Sequence, residues 1–226
     1  MKKNMLASAL LVMSAAFVAC AQPEGYRPRP TNELTRDDLR TYPEAIQTHL
    51  EKLMTEVNRV EKLDDIDFHK SAYQFAVGRD GLYLSQADAQ KFADELEPLR
   101  PRDRALRFVV YQTAYRYALS RDGLYLSMND SRDFAKNAVA VKRPLDFVAR
   151  HRAIYQHAAG RDGLYLSMED SRELANRIAV DPKIYPTLEV HQKWYKYAIS
   201  RDGLYLSMTD ARAYADKKAG WVAPKK

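Results

Sequence analysis

The block Arg-Asp-Gly-Leu-Tyr-Leu-Ser occurs four times in this chain, and its spacing constrains the fold more than any other feature. The copies begin at residues 79, 121, 161 and 201, so that consecutive copies lie 42, 40 and 40 residues apart. Identical blocks at an interval of about 40 residues are typical of a tandem array in which each repeat is one supersecondary unit. We therefore interpret the chain as a repeat protein.

An aromatic stripe leads into each block. Six residues before each Arg is a tyrosine: Tyr73, Tyr115, Tyr155 and Tyr195. Four residues further back are His69, Tyr111, His151 and His191. Because residues four apart lie on the same helix face, the stripe predicts a helix that ends near the block. We expect the three histidines to pack against tyrosine between helices rather than bind metal, since no Cys or acidic ligand recurs beside them.

The block itself predicts a tight turn between two helices. Its Gly is expected to adopt the left-handed conformation after the first helix, and Leu-Tyr-Leu to form a short extended link with the leucines inside and the tyrosine outside. The Ser is expected to cap a second helix, and the Asp three residues later places negative charge at the positive end of that helix. Each repeat is therefore predicted to be helix, turn, helix.

The predicted fold class is all-α: a tandem array of four ~40-residue helix-turn-helix repeats preceded by a long N-terminal capping helix. The repeats span residues 64–100, 101–142, 143–181 and 182–226, the last with a C-terminal tail. The lead helix, residues 41–63, is expected to open at a capping box, Thr41 to Glu44, and to shield the open end of the array. Its apolar residues form a narrow seam: Ile46, Leu50, Leu53, Val57 and Val60. A self-associating coiled coil is the alternative, for which this seam of two heptads is short.

The N-terminus has the layout of a secretory signal. Lys2 and Lys3 precede an apolar stretch, and residues 1–20 are predicted to be the signal peptide. The single cysteine, Cys20, follows Phe-Val-Ala, which resembles the lipobox of bacterial lipoproteins. The resemblance implies a lipid-modified Cys20 that anchors the protein to a membrane facing the periplasm. Cleavage at the small residues around Cys20, which would give a periplasmic or secreted protein, is the alternative. Residues 21–40 are predicted to be a Pro-rich tether.

Composition and motifs argue against several functional classes. The net charge is +6, but acidic and basic residues are interleaved, which is typical of a solvated surface rather than of a nucleic-acid interface. There is no phosphate-binding loop and no dinucleotide fingerprint. The repeated Ser already has a capping role, and a catalytic site is not expected in four copies. We predict no enzymatic activity and no cofactor.

The order of helix, Asp-Gly loop, apolar position and Ser-capped helix resembles the second half of an EF-hand. The resemblance implies helix pairs with short paired loop segments, and calcium bound through the loop aspartates Asp80, Asp122, Asp162 and Asp202. The first loop position carries Ala in every copy, and each loop offers about two carboxylates where calcium takes six to eight oxygen ligands. We therefore assign no metal ligands, and a degenerate EF-hand-like, calcium- or metal-responsive protein stays the alternative.

The Arg and Tyr of the blocks are the candidate binding residues, because in a stacked array they would line one edge at regular intervals. They are Arg79, Tyr83, Arg121, Tyr125, Arg161, Tyr165, Arg201 and Tyr205. One interpretation is a ladder for a repetitive partner in the cell envelope, a cell-wall glycan or an extended peptide or protein, with no nucleic acid as partner. The other is structural, with each Arg paired to an Asp in the neighbouring turn and each Tyr packed between repeats. An accessory subunit of an envelope enzyme is a third possibility.

Overall fold

The structure, a computed structural model, describes residues 36–181 and 184–221. All of them belong to one compact unit, Thr31–Lys226. The predicted signal peptide, the lipidation candidate Cys20 and most of the predicted tether lie outside the described residues. The end of that tether, expected to reach residue 40, contains a four-residue helix, Arg36–Leu39, in which Leu39 is buried.

Helices account for the described fold, as the sequence predicted. They are α1 (Arg36–Leu39), α2 (Glu44–Glu61), α3 (Asp65–Val77), α4 (Gln86–Leu96), α5 (Pro101–Leu119), α6 (Met128–Ala140), α7 (Pro144–Ala159), α8 (Met168–Ala179), a 3-10 turn (Tyr185–Thr187), α9 (Leu188–Ile199) and α10 (Met208–Ala219). No strand occurs in residues 36–181 or 184–221, so the paired loop segments of the EF-hand-like alternative are not formed there. No helix of this part is long and apolar enough to cross a membrane.

Four helix hairpins make up most of the unit. The most extensive helix contacts join α3 to α4, α5 to α6, α7 to α8 and α9 to α10. Each hairpin corresponds to one copy of the repeat. The capping prediction is confirmed for the second helix of each hairpin. In α8, Ser167 Oγ accepts from the Asp170 backbone N–H at 3.1 Å and donates to the Asp170 carboxylate at 2.7 Å. The same pair of bonds opens α4, α6 and α10.

The lead helix α2 lies along the middle of the array and does not only cover an end. Its buried seam packs on α5 and α7, the first helices of the second and third hairpins. Its N-terminus also reaches the fourth hairpin, where the Glu44 backbone N–H donates to Glu189 at 2.6 Å. This contact replaces the expected capping box, since Thr41 Oγ1 instead donates to the Asp38 carbonyl oxygen at 2.7 Å.

In each of the first three hairpins, one ring near the end of the first helix packs against the following hairpin. Phe75 lies edge-on to Phe108, with ring centroids 5.8 Å apart. Tyr117 meets His151 at 5.7 Å and also contacts Tyr155. The equivalent residue of the third repeat, His157, meets His191 and Tyr195. The hairpins are therefore joined by one recurring contact, made each time by the residue four positions before the repeated Arg.

Candidate binding site

The repeated loop folds back over the end of the first helix. In the first copy, the Leu82 N–H donates to the Phe75 carbonyl oxygen at 3.0 Å and the Leu84 N–H to that of Ala76 at 2.9 Å. Both bonds recur in the other three copies. They occupy carbonyl groups of the last helical turn that have no partner inside the helix. The loop is thus an ordered cap, and its backbone determines where the Arg and Tyr side chains project.

The glycine of the block is needed for a close approach, and its predicted left-handed conformation is wrong. None of the four block glycines has a positive φ. A Cβ added to Gly123 would lie 1.9 Å from the Tyr117 carbonyl oxygen, and the other three copies show the same collision at 1.8–1.9 Å. The backbone passes so close to the helix end that no side chain fits, which is the second reason for glycine at a turn.

The left-handed position is occupied by the tyrosine, which also makes the predicted extended link wrong at its centre. The φ angles of Tyr83, Tyr125, Tyr165 and Tyr205 are +53°, +51°, +51° and +50°. For a bulky residue this conformation costs about 1–3 kcal/mol. The tyrosines nevertheless project outwards as predicted, with 61–70% of each residue exposed. The chain therefore holds four exposed rings on strained backbone, where Asn or Gly would be less costly.

The charged residues beside these rings have no ionic partner in the described part of the chain. Arg79, Arg121, Arg161 and Arg201 are exposed, and so are the aspartates that follow them. None of the four arginines forms an ion pair with another described residue, and none of the four tyrosines packs against a described ring. The structural interpretation requires each Arg to pair with a neighbouring Asp and each Tyr to pack between repeats. These contacts are not formed among the described residues. Each loop presents an exposed guanidinium, a carboxylate and a ring.

The histidines of the aromatic stripe are mostly interior groups, as expected. His151 is fully buried: Tyr117 Oη donates to its Nδ1 at 3.0 Å, and its Nε2–H donates to Asn176 at 2.9 Å. His191 is held in the same way between His157 and Asp216, each at 3.0 Å. Burial lowers the pKa of His151 to about 4. Both ring nitrogens of these histidines are occupied by protein.

His157 was missed by the sequence analysis, because the repeats carry Phe, Tyr, His and Tyr at its position. Its pKa is lowered to about 3, mainly by burial and further by electrostatic interactions with His191 and Lys196. It is therefore neutral at pH 7, and its Nε2–H donates to His191. The only signal in the sequence was that the position is always aromatic.

His69, the first member of the stripe, differs from the buried histidines. It lies 3.0 Å from Asp94 and is partly exposed. One ring nitrogen of His69, one Asp94 oxygen and one Glu97 oxygen lie within 4.8 Å of one another, which makes the three residues a candidate metal-binding group. The Gln90 side-chain nitrogen lies 3.1 Å from His69 Nε2 and 2.8 Å from Asp94. His69 Nε2 cannot both donate to Asp94 and accept from Gln90, so the cluster leaves one polar contact unsatisfied.

Comparison with protein-family models, with curated protein sequences and with solved structures gives no match. The loops and the His69 cluster are therefore the features of the molecule that bear on its function.

Proposed function

We propose that this protein is a non-enzymatic helical-repeat binding or scaffolding protein, exported to the bacterial cell envelope, that binds a repetitive glycan or extended peptide along its repeated loops. The observation that carries the proposal is the recurrence of four exposed tyrosines in left-handed backbone. Strained conformations persist where the surrounding structure enforces them, and they cluster at ligand-binding positions.

The side chains of each loop suit a polar ligand with flat apolar faces. A tyrosine ring buries the apolar face of a sugar or a peptide side chain, while its hydroxyl bonds to the polar rim. The neighbouring guanidinium is a planar fork of donors that matches carboxylates. The exposed aspartate, such as Asp80 beside Arg79, accepts bonds from hydroxyl groups. A cell-wall glycan and an extended peptide both offer such groups repeatedly.

Four copies of the loop can bind a ligand more tightly than one copy can. Even a pair of aromatic rings gains only about 0.5–1.5 kcal/mol beyond the area that it buries, so a single exposed ring binds weakly. Four loops on one chain act as linked weak sites, and linking raises the overall affinity well above that of each site. The proposed ligand is therefore a polymer with its own repeat, because a short fragment would engage only one loop. Export and lipid anchoring at Cys20 are proposed from the sequence of residues 1–20 alone.

Sedimentation with insoluble peptidoglycan tests this function. Residues 21–226, which contain the whole compact unit, are mixed with sacculi, and the bound fraction is measured. Replacing the four loop tyrosines by Asn is expected to weaken binding roughly tenfold or more through loss of the aromatic contacts. The matched control replaces the same four residues by Phe, which keeps the rings and loses only the hydroxyl groups, and it is expected to bind more tightly than the Asn variant. Unchanged binding by a folded Asn variant would contradict the proposal.

A metal-responsive protein is the second candidate, and the His69 cluster is the observation that favours it. One imidazole and two carboxylates form a donor set that suits Zn²⁺ better than calcium, which prefers six to eight oxygens. Ligand atoms around tetrahedral zinc lie about 3.3 Å apart, given bonds of about 2.0–2.1 Å. The 3.0 Å between His69 and Asp94 is close to this value, and the Glu97 oxygen, within 4.8 Å of both, offers a third ligand.

Thermal unfolding with Zn²⁺, with Ca²⁺ and with chelator tests the second candidate. Selective binding to the folded state raises the melting temperature. Zinc is expected to raise it for the wild type but not for Glu97→Ala, while the control Glu95→Ala, two residues earlier, keeps the response. A response to calcium but not to zinc would instead support the EF-hand-like alternative at the loops.

A further inference from the structure

The contact between consecutive hairpins has two sides, and the last hairpin leaves the forward side uncovered. The forward side consists of the ring four positions before the repeated Arg and the first Leu of the loop. In the first three repeats these residues are buried under the next hairpin: Phe75, Leu82, Tyr117, Leu124, His157 and Leu164. Their equivalents in the fourth repeat are Tyr197, which is 44% exposed, and Leu204, which is 39% exposed.

The first hairpin leaves the rear side uncovered. Thirteen positions before the repeated Arg, the later repeats carry apolar residues that are buried: Phe108, Val148 and Leu188. The first repeat carries Ile66 there, and it is 80% exposed. Tyr73 is likewise only partly buried, whereas the stripe tyrosines of the other repeats are buried. The two ends of the array thus expose the two halves of one interface.

We propose that this chain associates head-to-tail, with the first repeat of one copy docked on the fourth repeat of the next. The occupant of each end is a second copy of this chain, because the chain itself contains three junctions of the same construction. Terminal units of repeat proteins normally carry a polar outer face, and neither end does so at these positions. The inference does not depend on the proposed ligand of the loops.

The residues that would meet at the new junction match an existing one by type. Between the second and third repeats, Tyr117 packs against His151 and Tyr155. At the junction of two copies, Tyr197 stands in the place of Tyr117, and His69 and Tyr73 stand at the positions of the other two. The same Tyr–His–Tyr set would therefore form between copies, with Leu204 buried as Leu124 is.

Such a junction is heterologous, since each copy contributes a different surface. Association of this kind continues until the copies close into a ring or form an open filament. It would also extend the series of exposed Arg and Tyr side chains beyond one chain. These properties distinguish it from a symmetric dimer, in which the same surface of both copies meets.

Light scattering coupled to gel filtration tests the proposal on residues 21–226 over a range of concentrations, with chelator present. The wild type is expected to show a mass that rises with concentration beyond that of a dimer. Ile66→Glu and Tyr197→Glu each place a charge in one half of the junction and are expected to stay monomeric. Met168→Glu, at a residue 39% exposed in the third repeat, is the control and is expected to associate like the wild type.

Mixing the two Glu variants gives the decisive readout. Each retains the half that the other has lost, so an equimolar mixture is expected to form a dimer and nothing larger. A wild type that is monomeric at all concentrations would overturn the proposal. So would association that survives both substitutions, or a mixture that stays monomeric. Circular dichroism verifies that both variants, changed at exposed positions, are folded.

Discussion

At the scale of single residues, the repeated block reverses the usual roles of its two special positions. Glycine is expected at positive φ, and a bulky side chain is expected where there is space. Here Gly123 lies in ordinary backbone but against a helix carbonyl, while Tyr125 occupies the left-handed position. The steric demand and the conformational demand of the turn therefore fall on different residues.

Substitution at these two positions should have opposite effects on stability. Gly123→Ala forces a Cβ into the Tyr117 carbonyl oxygen and is expected to cost about 1–3 kcal/mol, as overpacking does. Tyr125→Asn is expected to stabilise by about 1 kcal/mol, because Asn tolerates the left-handed region. Urea unfolding measures both. Gly220, with φ +73° and no neighbour within 4 Å, is the control: Gly220→Ala should cost about 1–2 kcal/mol through conformation alone.

Acid sensitivity should depend partly on His157. Its pKa is about 3 in the folded protein and about 6.5 when unfolded, so the unfolded chain binds the proton more readily. The resulting stability is complete above about pH 6.5 and is lost as the pH falls towards 3. The loss amounts to about 2 kcal/mol at pH 5. His157→Tyr reproduces the Tyr117–His151 pair of the preceding repeat and removes the titration. The variant should lose less stability than the wild type between pH 7 and pH 5; equal losses would show that His157 is not responsible.

At the scale of the helix, α6 contains two serines with opposite roles. Ser127 caps the helix and bonds to Asp130. Ser131, one turn later, is fully buried, and its hydroxyl has no hydrogen-bond partner in the described part of the chain. The first and fourth repeats carry Ala at the equivalent position, Ala89 and Ala211, and both are buried. The position therefore accepts a methyl group without a polar partner.

Replacing each serine by alanine should separate these roles. Ser127→Ala removes a cap and is expected to destabilise by about 1 kcal/mol. Ser131→Ala removes an unpartnered buried hydroxyl and is expected to stabilise by about 1 kcal/mol. Both are measured by chemical denaturation of the same protein. Destabilisation by Ser131→Ala would mean that its hydroxyl has a bonding role in the folded state.

At the scale of the whole described unit, α2 joins hairpins that are distant in sequence. Its seam residues, among them Leu50 and Val57, are buried on α5 and α7. At its start Glu44 bonds to Glu189, and near its end Glu61 pairs with Arg102 at 2.7 Å. One helix thus contacts the second, third and fourth repeats. Repeat proteins in which each unit touches only its neighbours lack such a connection.

Truncation of the α2 seam should therefore weaken the whole unit together. Leu50→Ala deletes a fully buried side chain and is expected to cost about 2–5 kcal/mol. The loss should shift a single unfolding transition without splitting it, followed by circular dichroism and by tryptophan fluorescence from the fourth repeat. Thr55→Ala, on the same helix, is the control, with an expected change within about 0.5 kcal/mol. Separate transitions for the two probes would indicate that α2 does not couple the repeats.

Local signals in the sequence were sufficient for much of this structure. The capping Ser and Asp, the helix that precedes each block and the exposure of Tyr83 and its equivalents all depend on residues within one repeat. The left-handed conformation of the tyrosine was not predicted. The glycine of the block was assigned to that conformation instead, because its close approach to a helix carbonyl, as at Gly81, is not visible in the sequence. The partners of α2 were also not predicted, because an apolar seam in the sequence indicates which residues are buried but not which helix they pack against.

The path of α2 has a consequence for how the chain acquires its structure. The hairpins pair segments that are adjacent in sequence, and local pairings of this kind form rapidly. The two helices that cover its apolar seam, α5 and α7, are completed only at Ala159, about a hundred residues after α2 itself. The chain is synthesised from its N-terminus, so α2 is made long before α7. The apolar seam of α2 therefore stays uncovered during this time. A holding chaperone that recognises such a seam would keep the nascent protein from aggregating until α7 arrives.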